Sequence, residues 1–483
     1  MSAIKLSASA VPLKSAAAVV VAVTTQGKGL VTLPDVGFSP ATLKALGAAA
    51  SLDSVVRTIG SDGRLYVLTG LPTVMPSLNE LRHSAGAVGR VASDISSLEF
   101  HIPTASVAEA IAVLEGAALG AYAYPKTAKT KVALSAVHLV TQAKISKANI
   151  DEVAIVARAT HGVRVLANTP ANHLYPELFA NKAVAAAAAQ ANLRVQVWDE
   201  KQLKKDGFGA IAGVGQGSVR GPRLVKLVYA PKGATQHLAL VGKGITFDTG
   251  GYAIKPLGGM LGMKYDMSGA ATAFQAILAV SRLGLPVKVT AWLCLAENMV
   301  SGSALKPGDV ITAKNGKTIE VTNPDAEGRL VMADGLSAAS LDKPDLIVDI
   351  ATLTGAARIA LGIRYTGLMG TNEGVLALQK AADAVGEQVW HMPLPVELRD
   401  NLKSDVADLA NAKVGNTFGG MLVAGHFLSE FVGKGIDGSQ LPWAHLDIAG
   451  PADNESGAFG YTPKGPTGVM LRTLVQTARD MSK

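Results

Sequence analysis

Short apolar runs separated by stretches of helical period constrain this chain more than any other feature. From Leu193 onward the strand-like runs Leu193–Trp198, Leu224–Ala230, His237–Val241, Val287–Leu295 and Leu346–Ile350 alternate with helix-like segments such as Pro176–Asn192 and Ala270–Leu283. Such alternation of strands and helices predicts a mostly parallel sheet flanked by helices on both faces. Residues 1–155 repeat the theme on a smaller scale: apolar runs Ala17–Thr24, Val55–Thr58 and Leu65–Leu68, and a helix over Ser106–Ala121 with Ser106 and Glu109 at capping-box spacing. A chain of 483 residues also exceeds what one core commonly holds. The expected organisation is an α/β fold in two parts, a small N-terminal α/β domain (1–155) and a larger C-terminal domain (156–483), joined by a helix over Ala148–Ala167 that Pro170 ends.

The octapeptide NPDAEGRL, Asn323 to Leu330, places two acids and an arginine close together in an otherwise apolar chain. If the strand-like run Thr318–Thr322 stays extended through Asp325 and Glu327, residues two apart point the same way and both carboxylates can grip one cation or a pair. A helix is then expected over Gly328–Ala339, with Leu330, Val331 and Leu336 inward. The plainer alternative makes Asp325 a helix cap and Glu327 with Arg329 a solvated pair. Upstream stands a second cluster, VGKGITFDTGG (Val241 to Gly251), then Lys255, then MKYDMSG (Met263 to Gly269). Its Lys243 and Asp248 are expected just beyond the strand His237–Val241, where open parallel sheets place their chemistry. Asp248, Asp266, Asp325 and Glu327 could not all stay ionised in one cleft without cations between them. Hard oxygen ligands in that number suggest two divalent ions sharing carboxylates. The nine histidines are scattered, with no H-E-x-x-H spacing among them.

These clusters occur together with NTPANHLYP (Asn168 to Pro176), GVGQGS (Gly213 to Ser218), AENMVSGSALKPG (Ala296 to Gly308), DIATLTG (Asp349 to Gly355) and HLDIAG (His445 to Gly450). In that order they resemble the leucine aminopeptidase family of cytosolic two-metal exopeptidases, the M17 peptidases, from about Ala157 to Val475. The resemblance implies five metal ligands, Lys243, Asp248, Asp266, Asp325 and Glu327, with Asp248 and Glu327 bridging two ions. Zinc or manganese is the expected metal, and magnesium or cobalt also suits such ligands. Lys255 and Arg329 would be the catalytic residues outside the ligand set, the lysine polarising the scissile carbonyl and the arginine holding a bicarbonate. Met263, Thr352, Leu353, Gly355, Ala449 and Ala452 would surround the first side-chain pocket or the substrate backbone. The implied reaction removes an N-terminal residue, Leu or Met-like, through a metal-bridging hydroxide, from peptides with a free N-terminus. A homo-hexamer in the cytoplasm is also implied. One departure is visible: Pro324 stands where the family usually has threonine, which removes a backbone donor beside Asp325.

Composition narrows the alternatives. Charged residues are 17% and mean hydropathy is +0.27, too apolar for disorder and suited to surface buried in an assembly. The single Cys294 cannot form an internal disulfide and reads as a small buried hydrophobe. Ala16–Val23 resembles a signal peptide's apolar stretch, but it is short and lacks an A-x-A site, so a first buried strand is expected there. No apolar run approaches the roughly 20 residues that span a bilayer. Net charge is +7, yet the lysines are spread and aromatics are 5%, without zinc-finger or RNP spacing, which argues against specific nucleic-acid binding. Two rival functions follow from the same residues: a two-metal phosphoesterase, and a basic DNA-binding scaffold with a vestigial site.

Overall fold

The computed structural model describes residues 4–13, 15–92, 94–125 and 134–483. The chain forms two compact units, Met1–His161 with Asn454–Gly465, and Gly162–Asp453 with Pro466–Lys483. The helix expected between the two parts spans Lys147–Asn168.

In the first unit a seven-stranded sheet has Ala18–Gln26 near its centre, parallel to Leu65–Gly70 and Ser97–Phe100 and antiparallel to Gly29–Leu33. Ala18 to Val23 are buried, so the N-terminal apolar stretch is a core strand. Helices Leu78–Val91 and Val107–Gly120 meet at backbone distance: a Cβ on Gly116 would lie 2.1 Å from Arg82 O, and one on Gly120 2.1 Å from Gly86 O. Ser106 caps the second helix by accepting from Glu109 N at 3.2 Å. The reciprocal bond is shifted by one residue, since the Glu109 carboxylate takes Ala105 N (2.6 Å). The segment Asn454–Gly465 is held in this unit by Asp53, which accepts from Gly460 N at 2.6 Å.

The second unit is built on an eight-stranded sheet in the order Val389–His391, Thr366–Gly370, Trp443–Asp447, Leu346–Ala351, His237–Asp248, Lys288–Asn298, Arg223–Tyr229, Leu193–Trp198. Its four middle strands, Trp443–Asp447 through Lys288–Asn298, run parallel, and antiparallel pairings begin at Thr366–Gly370 on one side and Arg223–Tyr229 on the other. The predicted α/β class, with a mostly parallel sheet flanked by helices, is the observed one. Alternation along the central strand shows how both faces are covered. Gly242 faces the helix Ser268–Leu283, where a Cβ would come 2.5 Å from Ala270 Cα. Val241 faces the opposite helix, Glu327–Leu341, where a Cβ on Gly335 would lie 2.7 Å from Val241 Cγ1 and 2.5 Å from Cys294 Sγ. Cys294 is therefore a core residue, and burial drives its thiol pKa well up.

Two local expectations need correction. The central strand does not stop at Val241; it continues to Asp248, with a register irregularity between Ile245 and Phe247 opposite Lys288–Asn298. Lys243 thus sits within the strand and Asp248 at its end. Nor does an extended segment carry Asp325 and Glu327 on one face. The strand Thr318–Val321 ends early, a turn closes with Ala326 N donating to Asn323 O (3.0 Å), and Glu327 is the first residue of the helix Glu327–Leu341. Leu330, Val331 and Leu336 are fully buried on that helix, as its apolar pattern requires.

Candidate metal centre

Four separate pieces of backbone bring the acids together. Asp248 ends the central strand, Asp266 lies in the short turn Met263–Met267 ahead of the helix Ser268–Leu283, Asp325 is in the Asn323–Ala326 turn, and Glu327 opens the next helix. Asp248, Asp325 and Glu327 each offer an oxygen within 4.8 Å of the others. Asp248, Asp266 and Glu327 are buried, and Asp325 keeps its side chain 32% exposed.

Glycines make this approach possible. Gly250 (φ +85°) and Gly251 (φ +58°) turn the chain after Asp248 in the left-handed region, and a Cβ on Gly250 would stand 2.8 Å from Asp325 Oδ1. Asp248 Oδ1 accepts from Gly250 N (2.8 Å) and from Asn298 Nδ2 (2.9 Å). The same Asn298 amide donates to Pro324 O (3.0 Å), so one side chain joins the two acidic segments. Pro324 lacks an N–H, but its turn is fixed by its carbonyl and by Asn323 Oδ1, which accepts from Asp325 N at 2.9 Å.

Two lysines enter the cluster from opposite ends. Lys243, 3% exposed, places Nζ 2.7 Å from Asp266 Oδ2, 2.8 Å from Asp266 Oδ1 and 3.0 Å from Glu327 Oε1, and donates to Thr352 O at 3.0 Å. Asp266 Oδ2 is close to this ammonium without receiving an aligned hydrogen bond, because the donor is directed at Oδ1. Thr352 Oγ1 completes that corner by donating to Asp266 Oδ1 at 2.7 Å. Lys255 Nζ lies 2.9 Å from Asp248 Oδ2 and 2.5 Å from Asp325 Oδ1. Burial opposes the charge on both lysines, but the facing carboxylates outweigh it and hold both ammonium protons well above the ordinary lysine range.

The carboxylates show the opposite strain. Burial first, and then the negative charge of Asp248, raises the proton affinity of Glu327, and the same causes raise that of Asp266 against the pull of Lys243. Glu327 Oε2 is buried and has no hydrogen-bond partner among the described residues. Four carboxylates facing two ammonium groups leave negative charge that further cations would neutralise, and an orphaned buried carboxylate oxygen is a vacant ligand atom. This donor set suits hard divalent ions.

Arg329 is 8% exposed on the helix that begins with Glu327, donates to Asn411 O at 2.6 Å and lies over the Phe427 ring. Burial lowers its pKa to about 10, which leaves it charged at neutral pH. A cavity of about 410 Å³ opens beside it, with Ala253, Asn323, Lys413, Asn416 and Phe418 among its walls.

The residues expected around the first pocket are less uniformly placed. Thr352 is bonded to Asp266, and Met263 begins the turn that carries Asp266. Leu353 follows Thr352 and is partly buried, while a Cβ on Gly355 would meet nothing within 4 Å. Ala449 is buried and its N–H donates to Asp447 Oδ1 (3.1 Å); Ala452 is buried, with its N–H on Ile448 O at 2.9 Å. Sequence reasoning passed over three supporting residues. Asn298 and Asp447 lay inside quoted motifs but have no metal-ligand spacing. Asn411 had no local signal, yet its Oδ1 accepts from Thr322 N (2.9 Å) and Asn323 N (3.1 Å) and its carbonyl holds Arg329.

Residues 161–475 match the cytosol aminopeptidase family, catalytic domain. The chain belongs to that family. A probable cytosol aminopeptidase of Leifsonia xyli subsp. xyli is 50% identical over 92% of this chain and 90% of its own length. Another, from Clavibacter michiganensis subsp. michiganensis, is 48% identical over 96% of each. Among solved structures, the bottromycin maturation enzyme BotP in complex with Mn is 36% identical and superposes with a TM-score of 0.86, covering 97% of this chain and 100% of that one. As a member of the cytosol aminopeptidase family the protein is a metal-dependent aminopeptidase, a hydrolase that uses divalent metal. Membership does not favour the phosphoesterase or the DNA-binding scaffold. Among the described residues no helix is long and apolar enough to cross a membrane.

Proposed function

We propose that the second unit removes N-terminal apolar residues, Leu or Met foremost, from peptides, and that Lys243, Asp248, Asp266, Asp325 and Glu327 would hold two divalent ions. The observation that carries this reading is the convergence of Asp248, Asp325 and Glu327 within 4.8 Å, two of them buried, beside a fourth acid, buried Asp266. When bound, such ions lower the pKa of a shared water from about 15.7 to about 7 and supply hydroxide at neutral pH. Lys243 would serve as a ligand only as a neutral amine, so Nζ would have to give up its proton for metal to be held there. Lys255 stays an ammonium, and its position between Asp248 and Asp325 suits it to polarise the scissile carbonyl and to stabilise the oxyanion that follows. Arg329, charged and bordering the cavity, is suited to hold a small anion such as bicarbonate that relays a proton.

The free α-amine of the substrate would anchor at the metal centre, which restricts cleavage to the first peptide bond. Its side chain would lie among Met263, Thr352, Leu353, Gly355, Ala449 and Ala452, walls that suit apolar groups better than acids. Zinc or manganese fits the mixed amine and carboxylate set, and magnesium or cobalt is compatible with it. By family likeness the working assembly is a homo-hexamer in the cytoplasm, and residues 156–483 are the catalytic domain. Incubation with Leu-p-nitroanilide and with p-nitrophenyl phosphate, before and after chelation, tests the reading: metal-dependent nitroaniline release is expected. Phosphate release without amide cleavage would overturn it.

A further inference from the structure

The mechanism above makes no use of Asp447, which ends the strand Trp443–Asp447 and is 1% exposed. Its carboxylate accepts three hydrogen bonds: Oδ1 from Leu353 N (3.2 Å) and Ala449 N (3.1 Å), and Oδ2 from Thr354 Oγ1 (2.8 Å). The neighbouring strand pairs Ala351 with Asp447, and Ile448 N donates to Ala351 O at 2.8 Å, so the chain leaving Ala351 is clamped from this one strand end. The clamped segment is the one that touches the metal centre. Thr352 O accepts from Lys243 Nζ (3.0 Å), and Thr352 Oγ1 donates to Asp266 Oδ1 (2.7 Å). Thr354 Oγ1 in turn accepts from Ala357 N (3.0 Å) and caps the helix Gly355–Leu361.

We infer that Asp447 is a positioning residue for the aminopeptidase reaction: by fixing Leu353 and Thr354 it orients Thr352 against Lys243 and Asp266 and sets the wall formed by Leu353 and Gly355. This inference rests on the aminopeptidase reading of the site. A buried carboxylate with three donors aimed at it is strongly directional, and groups that orient metal ligands typically change metal affinity or activity about 10- to 100-fold when removed. Asparagine retains most of the geometry. Its Oδ1 can accept from Leu353 and Ala449, while its Nδ2 donates to the second lone pair of Thr354 Oγ1.

The test compares full-length wild type, Asp447→Ala, Asp447→Asn and Thr354→Val for Mn²⁺ affinity by titration calorimetry, for kcat and KM on Leu-p-nitroanilide, and for Tm. Asp447→Ala is expected to lose about 10- to 100-fold in Mn²⁺ affinity or kcat/KM, with Asp447→Asn recovering to within about threefold of wild type. Thr354→Val, which at nearly constant volume removes one of the three bonds together with the cap on Ala357 N, is expected to lose severalfold. A folded Asp447→Ala with a lower Tm but wild-type Mn²⁺ affinity, kcat and KM would overturn the inference by reducing the residue to a stability role, and Asp447→Asn as impaired as Asp447→Ala would likewise overturn it, because the retained bond geometry would then not suffice. Should Asp447→Ala fail to fold, wild-type constants in Thr354→Val overturn the inference. A wild-type protein that binds no Mn²⁺ and releases no nitroaniline instead sinks the aminopeptidase reading itself.

Discussion

Replacing Gly328 with alanine should separate the chemistry of this protein from its stability. Gly328 follows Glu327 in the first turn of the helix, and a Cβ built there would lie 2.5 Å from Lys243 Cε, 2.7 Å from Nζ and 2.8 Å from Cδ. Ordinary contact begins near 3.4 Å, so the end of the Lys243 side chain must retreat by about 0.9 Å. The lysine is unbranched and can move, and alanine is the better helix former by about 1 kcal/mol, so Tm should change little. Nζ is another matter, because it lies between Asp266 and Glu327 and is proposed as a ligand. A displacement near 1 Å at reacting groups costs about 100-fold in rate. Gly328→Ala is therefore expected to retain its Tm, to lose about 100-fold in kcat on Leu-p-nitroanilide and to bind Mn²⁺ more weakly. Gly335→Ala is the control on the same helix: its Cβ would meet Cys294 Sγ at 2.5 Å and Val241 Cγ1 at 2.7 Å, so overpacking of about 1–3 kcal/mol should appear in Tm instead. A Gly328→Ala protein with wild-type kcat and metal affinity would show that Lys243 has no part in the centre.

Three other outcomes are expected. Glu327→Ala removes a shared carboxylate and should abolish turnover together with much of the bound metal; full metal content by elemental analysis would contradict that role. Lys255→Ala should preserve metal binding and lower kcat by about 10²- to 10³-fold, and an unchanged kcat would remove Lys255 from the mechanism. The metal-free protein should lose stability as pH rises, because Glu327, Asp266 and Asp334 hold protons more tightly folded than unfolded, burial being the first cause for each and Asp334 moving from 3.8 to about 7. The folded state then binds more protons across that window, and its stability falls as pH climbs from about 4 toward 7. Divalent metal should flatten or reverse the trend, which thermal melts in EDTA and in Mn²⁺ at pH 5 and pH 7.5 would reveal; a metal-free protein more stable at the higher pH would contradict the assignment.

Much of this protein was readable from residue order because the relevant forces act locally or through simple periodicity. Strand-like runs that alternate with helical stretches demand a sheet covered by helices, and the helices Ser268–Leu283 and Glu327–Leu341 supply that cover on the two faces of His237–Asp248. Two acid-bearing segments in one apolar chain announced a cation site, since buried like charges need compensation whatever the fold. Local pattern failed where backbone direction changes. The strand carrying Lys243 runs seven residues farther than its apolar run, to Asp248, because glycines at 242 and 244 let it pass against the helix Ser268–Leu283 and neighbouring strands pair with it. Asp325 and Glu327 converge through a turn and a helix start rather than along one strand face, a choice made by Asn298 and Asn411, far away in the chain.

What the amino-acid order determined alone was the inventory: an α/β chain, two acidic segments, two lysines and an arginine of the right chemical types. Only the folded structure decided that Lys243 reaches Asp266 and Glu327, that Lys255 spans Asp248 and Asp325, and that Asp447 braces the segment beside them. The physical reason is range. Hydrophobic period and helix caps are set by neighbours a few residues away, whereas charge compensation and hydrogen-bond geometry depend on distances of about 3 Å between residues that only the packed sheet brings together.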